Sequence, residues 1–112
     1  MSVNKVILVG NVGRDPQIRY VQQRPVAEFP LATTERARRT PQGIDIPERT
    51  EWHRIVMVDA QADMAERYIR KGTKLYLEGK LRTRTWADSN TIKHTVTEIH
   101  VENFDILSRA AQ

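Results

Sequence analysis

Hydrophobic residues along the chain fall in short stretches that are rich in β-branched side chains or alternate with polar ones. This pattern, punctuated by Gly, Pro, Asn and Asp, predicts β-strands that bury one face. The third strand contains Pro30, which cannot donate a backbone hydrogen bond, so we expect an edge or a bulge there. The predicted strands are residues 3–9, Gln17–Val21, Val26–Thr33, Glu51–Val58, Lys74–Glu78, Lys80–Trp86 and Lys93–Val101.

One segment has helical periodicity. Asp59 is a typical N-cap residue, and Gly72 is a typical stop after the segment Ala60–Arg70. Within it Ala60, Met64 and Tyr68 recur at helical spacing, which predicts that they form the buried face.

A second segment, residues 34–50, departs from the strand pattern. It carries Pro41, Gly43 and Pro47 among charged residues, which predicts a long exposed loop or hairpin tip. Segments of this length often carry function.

Together these elements indicate one small all-β domain. About five short strands with one α-helix between the middle strands is the pattern of a five-stranded OB-fold barrel. A split α+β sheet has nearly the same periodicity and stays open as an alternative. We assign residues 1–107 to the barrel domain and residues 108–112 to its C-terminal end.

Composition adds a basic surface. The chain has 18 Lys and Arg against 14 Asp and Glu, which favours an anionic partner such as nucleic acid. It has no cysteine, which excludes disulfides and thiol chemistry. Its longest apolar run, Val6–Val9, is too short for a signal peptide or membrane span, so we expect a cytoplasmic protein without a membrane partner.

Catalytic and metal-binding patterns are missing from the sequence. His53, His94 and His100 lack metal-ligand spacing, so we expect no metal. The acidic residues of the helix fit a solvated face, and the serines lie outside any nucleophile motif. We therefore expect no cofactor and no enzymatic activity.

The segment 79–86 carries the strongest binding pattern. Its alternate side chains share one strand face, where cations about 6–7 Å apart match the spacing of phosphates along an extended strand. The Trp at the end of the row offers a surface for a nucleobase. A solvated basic edge strand has the same pattern. The residues of this face are Lys80, Arg82, Arg84 and Trp86.

The strand Glu51–Val58 repeats the combination of Trp and Arg. Period two places Trp52 and Arg54 on one face, with Ile55 and Met57 on the other. Trp52 taken alone is equally consistent with a core residue, and its pairing with Arg54 favours a nucleic-acid surface.

Five motifs of this chain, in order and spacing, resemble bacterial single-stranded DNA-binding proteins. The likeness runs from about residue 3 to residue 107. The motifs are residues 3–16 (VNKVILVGNVGRDP), 31–33 (LAT), 50–54 (TEWHR), 68–72 (YIRKG) and 78–86 (EGKLRTRTW).

The resemblance implies an OB fold that assembles as a homotetramer and binds single-stranded DNA in replication, recombination and repair. It implies base stacking by Trp52 and Trp86, and a subunit-interface role for His53. The cations matched to its DNA path are Lys5, Arg54, Lys71, Arg82 and Arg84, to which we add Lys80 and Arg38.

Two departures from the family pattern concern stacking. Ala37 and Val58 stand where the family usually has aromatic residues. With stacking worth about 1–3 kcal/mol per base, we expect this chain to rely more on charge and to bind with a steeper salt dependence. An OB-fold paralogue that mainly contacts replication proteins is the alternative reading of these losses.

The family usually continues through a Gly/Pro/Gln-rich tail to an acidic tip that recruits replication and repair proteins. The sequence ends at Gln112 without that tail. Replication and repair proteins stay possible partners, although the family's acidic tail is absent from this sequence, which is consistent with a trimmed chain, a naturally short paralogue or a primosome-type relative.

Overall fold

A computed structural model describes residues 1–110; residues 111 and 112, within the predicted C-terminal end 108–112, lie outside the described part. The strands are β1 Val6–Val12, β2 Gln17–Val21, β3 Arg24–Glu35, β4 Arg38–Arg39, β5 Asp45–Ile46, β6 Arg49–Val58, β7 Lys74–Ala87 and β8 Lys93–Ser108. The helix α1 covers Ala60–Tyr68, between β6 and β7.

Five strands close into a ring. The order β1-β7-β8-β6-β3 is completed by a pairing of β3 with β1, and β2 forms a hairpin on β3. All these pairs are antiparallel except β6 with β8, where Ile55 lies opposite Ile99. This ring with one short helix confirms the predicted OB fold and removes the split α+β alternative.

Pro30 lies at the point where β3 changes partners. On that side of β3 the pairing with β2 ends at Glu28 and the pairing with β1 begins at Leu31. The Pro30 carbonyl accepts a hydrogen bond from the Gly13 backbone N–H at 2.9 Å. The predicted edge-like position of Pro30 is therefore confirmed.

The core lies inside the ring. Leu31, Ile55, Met57, Leu75 and Leu77 are fully buried there, so the predicted inward face of β6 is confirmed.

β8 contains two bulges, and the first keeps the apolar side chains on either side of it inside the ring. Glu102 and Leu107 are each skipped in the register with β7. Each extra residue shifts the two-residue alternation by one, so Ile99 and Phe104 both face the core although their spacing is odd. The sequence alternation alone does not give this shift.

The predicted break between the strands Lys74–Glu78 and Lys80–Trp86 is wrong, because β7 runs through Gly79 without interruption. A Cβ at Gly79 would come 2.3 Å from the His100 carbonyl oxygen. Gly79 therefore permits close contact between β7 and β8 rather than ending a strand.

The buried face of α1 differs from the prediction. Met64 and Tyr68 are exposed, whereas Ala62 and Ala65 are buried, followed by Ile69 after the helix. Small residues let the helix lie close to the ring, where it contacts β3 and β6. The helix also ends at Tyr68, since Ile69 is extended with φ −94° and ψ 129°.

Asp59 is the N-cap residue of α1, as predicted, but its side chain does not cap the helix. Its carboxylate binds the guanidinium of Arg24 on β3, with Arg24 Nε donating to Oδ1 at 3.0 Å. Among the described residues no side-chain hydrogen bond from Asp59 caps α1. Asp59 has a positive φ of 57°, so it makes the turn between β6 and the helix.

The segment 34–50 forms a hairpin tip, as predicted. β3 and β6 extend into it as far as Glu35 and Arg49, and the short ribbon β4–β5 follows. Gly43, with φ 85°, closes the turn through a hydrogen bond from its N–H to the Thr40 carbonyl oxygen.

Candidate nucleic-acid interface

Two hairpins and the sheet surface between them carry the predicted binding residues. The β3–β6 hairpin carries Trp52, and the β7–β8 hairpin, which is exposed from Leu81 to Ala87, carries Trp86. We call the surface of β2, β3, β6, β8 and β7 that points away from the core the outer face.

The indole of Trp52 lies exposed on β6. It is 61% exposed and packs against Gly13, just beyond the end of β1. The ring atom Cζ3 lies 2.5 Å from where a Gly13 Cβ would stand, so this glycine leaves room for the indole. Arg54, two residues further along β6, also points outward, which fits the predicted common face of Trp52 and Arg54.

The indole of Trp86 is 41% exposed and belongs to a small aromatic stack. The imidazole of His94, the cross-strand partner of Trp86 on β8, stacks on the indole with ring centroids 5.3 Å apart and planes at 25°. The Arg84 guanidinium carbon lies 4.7 Å from the indole centroid, which is a cation–π contact. A nucleobase at Trp86 would thus extend an existing stack.

Asp88 fixes the position of His94. Its Oδ2 lies 2.8 Å from His94 Nε2. The His94 hydrogen bond, supported by the Ile92 backbone N–H, lowers the pKa of Asp88 below its ordinary value. The stack therefore carries a carboxylate that stays ionised at neutral pH.

A chain of alternating charges crosses the outer face at right angles to the strands, and we call it the charge ladder. Its ion pairs measure 2.6 Å between Arg19 and Glu28, 2.7 Å between Glu28 and Arg54, 3.0 Å between Arg54 and Glu98, and 3.2 Å between Glu98 and Arg84. In sheet order the members are Arg19 on β2, Glu28 on β3, Arg54 on β6, Glu98 on β8 and Arg84 on β7.

The two carboxylates of the ladder are covered while its arginines are partly open. The side chain of Glu98 is 5% exposed, against 42% for Arg54 and 44% for Arg84. His100 Nε2 lies 3.2 Å from Glu98 Oε1 and adds a further contact. The ladder thus presents guanidinium groups to solvent and hides their counter-charges.

Lys5 and Lys80 meet at one bulge. Lys5 Nζ lies 2.9 Å from a Glu78 oxygen and 3.5 Å from Glu102, while Lys80 Nζ lies 3.9 Å from Glu102. These two predicted phosphate contacts are therefore partly neutralised by acidic neighbours.

The other predicted cations are less constrained. Arg82 and Arg38 form no ion pair within residues 1–110, and both are exposed, on β7 and on β4. Lys71 lies beyond α1, where its backbone N–H donates to Asp15 Oδ1 at 2.8 Å. The structure thus brings Arg54 and Arg84 together and leaves Arg38 and Lys71 on separate elements.

Val58 lies in a groove on the outer face. The groove has a volume of about 360 Å³ and an apolar floor that includes Val56, with Arg84 and Glu98 among its polar walls. Val56 has the outward alternation of β6 but is nearly buried, so the predicted outer face is partly apolar.

His53 lies on the inward side of β6, and its Nε2 is 2.8 Å from the Thr33 hydroxyl.

Within residues 1–110 no group of three His, Asp or Glu side chains has the geometry to hold a metal ion. No helix of the described chain is long and apolar enough to span a membrane.

Sequence reasoning missed Arg19, Glu28, Glu98 and the stacking of His94. Glu28 and Glu98 were hard to find because their arginine partners lie on other strands, up to 44 residues away. One usable signal was present in the sequence. Glu98 directly precedes the apolar residue Ile99, so strand alternation points its side chain outward, and in the structure it lies opposite Arg82.

Comparison with known proteins gives consistent matches. The sequence model of the single-strand binding protein family matches residues 3–107. A single-stranded DNA-binding protein of Bacteroides thetaiotaomicron is 52% identical over 109 residues, which are 96% of this chain and 68% of the relative. A solved complex of Plasmodium falciparum SSB with ssDNA superposes with a TM-score of 0.85 at 35% identity, covering 96% of this chain and 97% of that one.

Proposed function

The chain belongs to the single-strand binding protein family, and on that premise we propose that it binds single-stranded DNA with little sequence preference. It coats and protects unwound strands in replication, recombination and repair, and it acts by binding, without catalysis. The observation that carries the proposal is the pair of exposed indoles on hairpins that flank a guanidinium-rich sheet face.

Trp52 and Trp86 are the base-stacking residues in this proposal. The indoles are 61% and 41% exposed, and each is held by a neighbour, Trp52 by Gly13 and Trp86 by His94. A held ring loses little freedom when a base stacks on it, and stacking accepts every base. This supports binding that tolerates any sequence.

The DNA backbone follows the cations of the outer face and of the segments beside it. Arg54 and Arg84 keep over 40% of their side chains open, and Arg82 is free of ion pairs within residues 1–110. We assign the phosphate contacts to Lys5, Arg38, Arg54, Lys71, Lys80, Arg82 and Arg84, within a binding domain of residues 1–107.

Two aromatic positions of the family are replaced by Ala37 and Val58. The groove beside Val58 offers an apolar floor but no ring for stacking. We therefore propose that charge supplies a larger share of the binding free energy and that the salt dependence is correspondingly steep.

We further propose that the protein is a homotetramer. Ile7 and Val9 are exposed side by side on β1, and Tyr76 lies opposite Val9 on β7. An apolar strip on a sheet surface is typical of a subunit contact. His53 supports the interface by anchoring the neighbouring strands. The mass in solution, measured by light scattering, tests this assembly.

A cytoplasmic location at the nucleoid follows, because unwound DNA is found there.

The proposed function is tested by fluorescence anisotropy, which compares the binding of labelled dT oligonucleotides with the binding of a duplex of the same length. We expect saturable binding of the single strand and at least tenfold weaker binding of the duplex. Equal affinity for both would contradict the proposal.

A further inference from the structure

Glu98 occupies the centre of the charge ladder and is almost fully buried. One oxygen, Oε2, accepts from Arg54 Nε at 3.0 Å and from an Arg84 terminal nitrogen at 3.2 Å. The other, Oε1, lies 3.2 Å from His100. A single carboxylate therefore holds side chains from β6 and β7, the strands on either side of β8.

A buried carboxylate is unfavourable unless it is paired. Burial raises the pKa of Glu98, but hydrogen bonds from Arg84 and His100 outweigh burial, so the pKa lies below its ordinary value. Glu98 is therefore ionised at neutral pH, where its negative charge pairs with both arginines.

The arginines retain donors for another ligand. A guanidinium group has five N–H donors. Arg54 uses its Nε for Glu98 and one terminal nitrogen for Glu28, while Arg84 uses one terminal nitrogen for Glu98. The remaining donors belong to side chains that are more than 40% exposed.

We propose that Glu98 is a positioning residue for DNA binding, which fixes Arg54 and Arg84 in one orientation so that their free donors face the strand. This inference rests on the proposed function. A fixed guanidinium loses little conformational freedom when it binds phosphate, whereas a free arginine must be ordered at that moment.

Charge alone predicts the opposite effect. Replacing Glu98 by Gln removes a negative charge from the binding face, which by itself would strengthen binding to DNA. The sign of the change in affinity therefore distinguishes a positioning residue from a competitor of phosphate.

The experiment measures the affinity of the full chain for a dT oligonucleotide at fixed salt. We expect Glu98→Gln to weaken binding by about fivefold or more, because two arginines lose their anchor. The control Glu51→Gln makes the same charge change on β6, where Glu51 has no ion pair within residues 1–110, and should leave affinity unchanged or slightly raised.

A second readout separates positioning from general damage to the fold. NMR of the arginine Nε–H groups should show a slowly exchanging Arg54 signal that disappears in Glu98→Gln. In a double-mutant cycle, Arg84→Gln should cost about tenfold in affinity in the wild type and less than about threefold in the Glu98→Gln background.

Tighter binding by Glu98→Gln, or equal losses from Arg84→Gln in both backgrounds, would overturn the inference. Failure of the wild type to bind dT would overturn the proposed function itself, so the two failures are distinguishable. If Glu98→Gln does not fold, Glu28→Gln repeats the test from β3, since Glu28 holds Arg54 and Arg19.

Discussion

The indole of Trp52 lies directly against Gly13, so closely that a Cβ on this glycine would stand 2.5 Å from the ring. Gly13 cannot retreat easily, because its N–H is bound to the Pro30 carbonyl. The end of β1 therefore sets the orientation of a proposed base-stacking ring on β6.

We expect Gly13→Ala to push the Trp52 indole away and to weaken DNA binding by up to about 1–3 kcal/mol, the contribution of one stacked base. The fold should survive because the displaced group is the end of an exposed side chain. Oligonucleotide titration and thermal unfolding measure the two effects. Unchanged affinity would mean that the orientation of Trp52 does not matter.

Trp86→Ala should weaken binding by about 1–3 kcal/mol and leave the fold intact, since the indole lies on an exposed hairpin. His94→Ala is the companion variant, which removes the stacked imidazole and keeps the indole. We expect it to weaken binding less than Trp86→Ala does. Unfolding of Trp86→Ala would instead make this indole a structural residue.

The arrangement of β6 could be predicted from the sequence because strand alternation is local. Trp52 and Arg54 point outward and Ile55 and Met57 inward, as period two requires. The helix face could not be predicted this way, because Ala62 and Ala65 bury small side chains while larger Met64 stays exposed. Hydrophobic size and burial diverge wherever a helix packs closely on a sheet.

The charge ladder could not be predicted for a different reason. Its members come from five strands, and which residues meet depends on the register between strands far apart in sequence. The cations were therefore found as candidates, but the carboxylates that hold Arg54 and Arg84 were not.

Arg82→Gln should make the decrease of log affinity with log salt shallower. The magnitude of the slope should fall by about 0.7, the value for one phosphate contact to a single strand. Arg82 has no ion pair within residues 1–110, so the loss of its charge is not offset by a released partner. Arg67→Gln on the helix is the control and should leave the slope unchanged. An unaltered slope in Arg82→Gln would place this residue off the DNA path.

Stability should fall in acid, and Glu98 should contribute to the fall. The pKa of Glu98 is lowered in the folded protein, whereas the unfolded chain has the ordinary glutamate value of about 4.3. As pH decreases below about 5, the unfolded state binds more protons, so the free energy of unfolding decreases.

Thermal unfolding between pH 7 and pH 3 measures this dependence. The wild type should lose melting temperature more steeply than Glu98→Gln, which lacks the titrating group. Parallel curves for the two proteins would show that Glu98 titrates alike in the folded and unfolded states.

The most direct test is the intrinsic fluorescence of Trp52 and Trp86 during titration with a dT oligonucleotide. Stacked bases should quench the indole emission in a saturable way, in step with the anisotropy of the labelled strand, and each Trp→Phe variant should retain part of the quenching. Binding without any quenching would show that the indoles do not touch the DNA, and it would contradict the proposed interface.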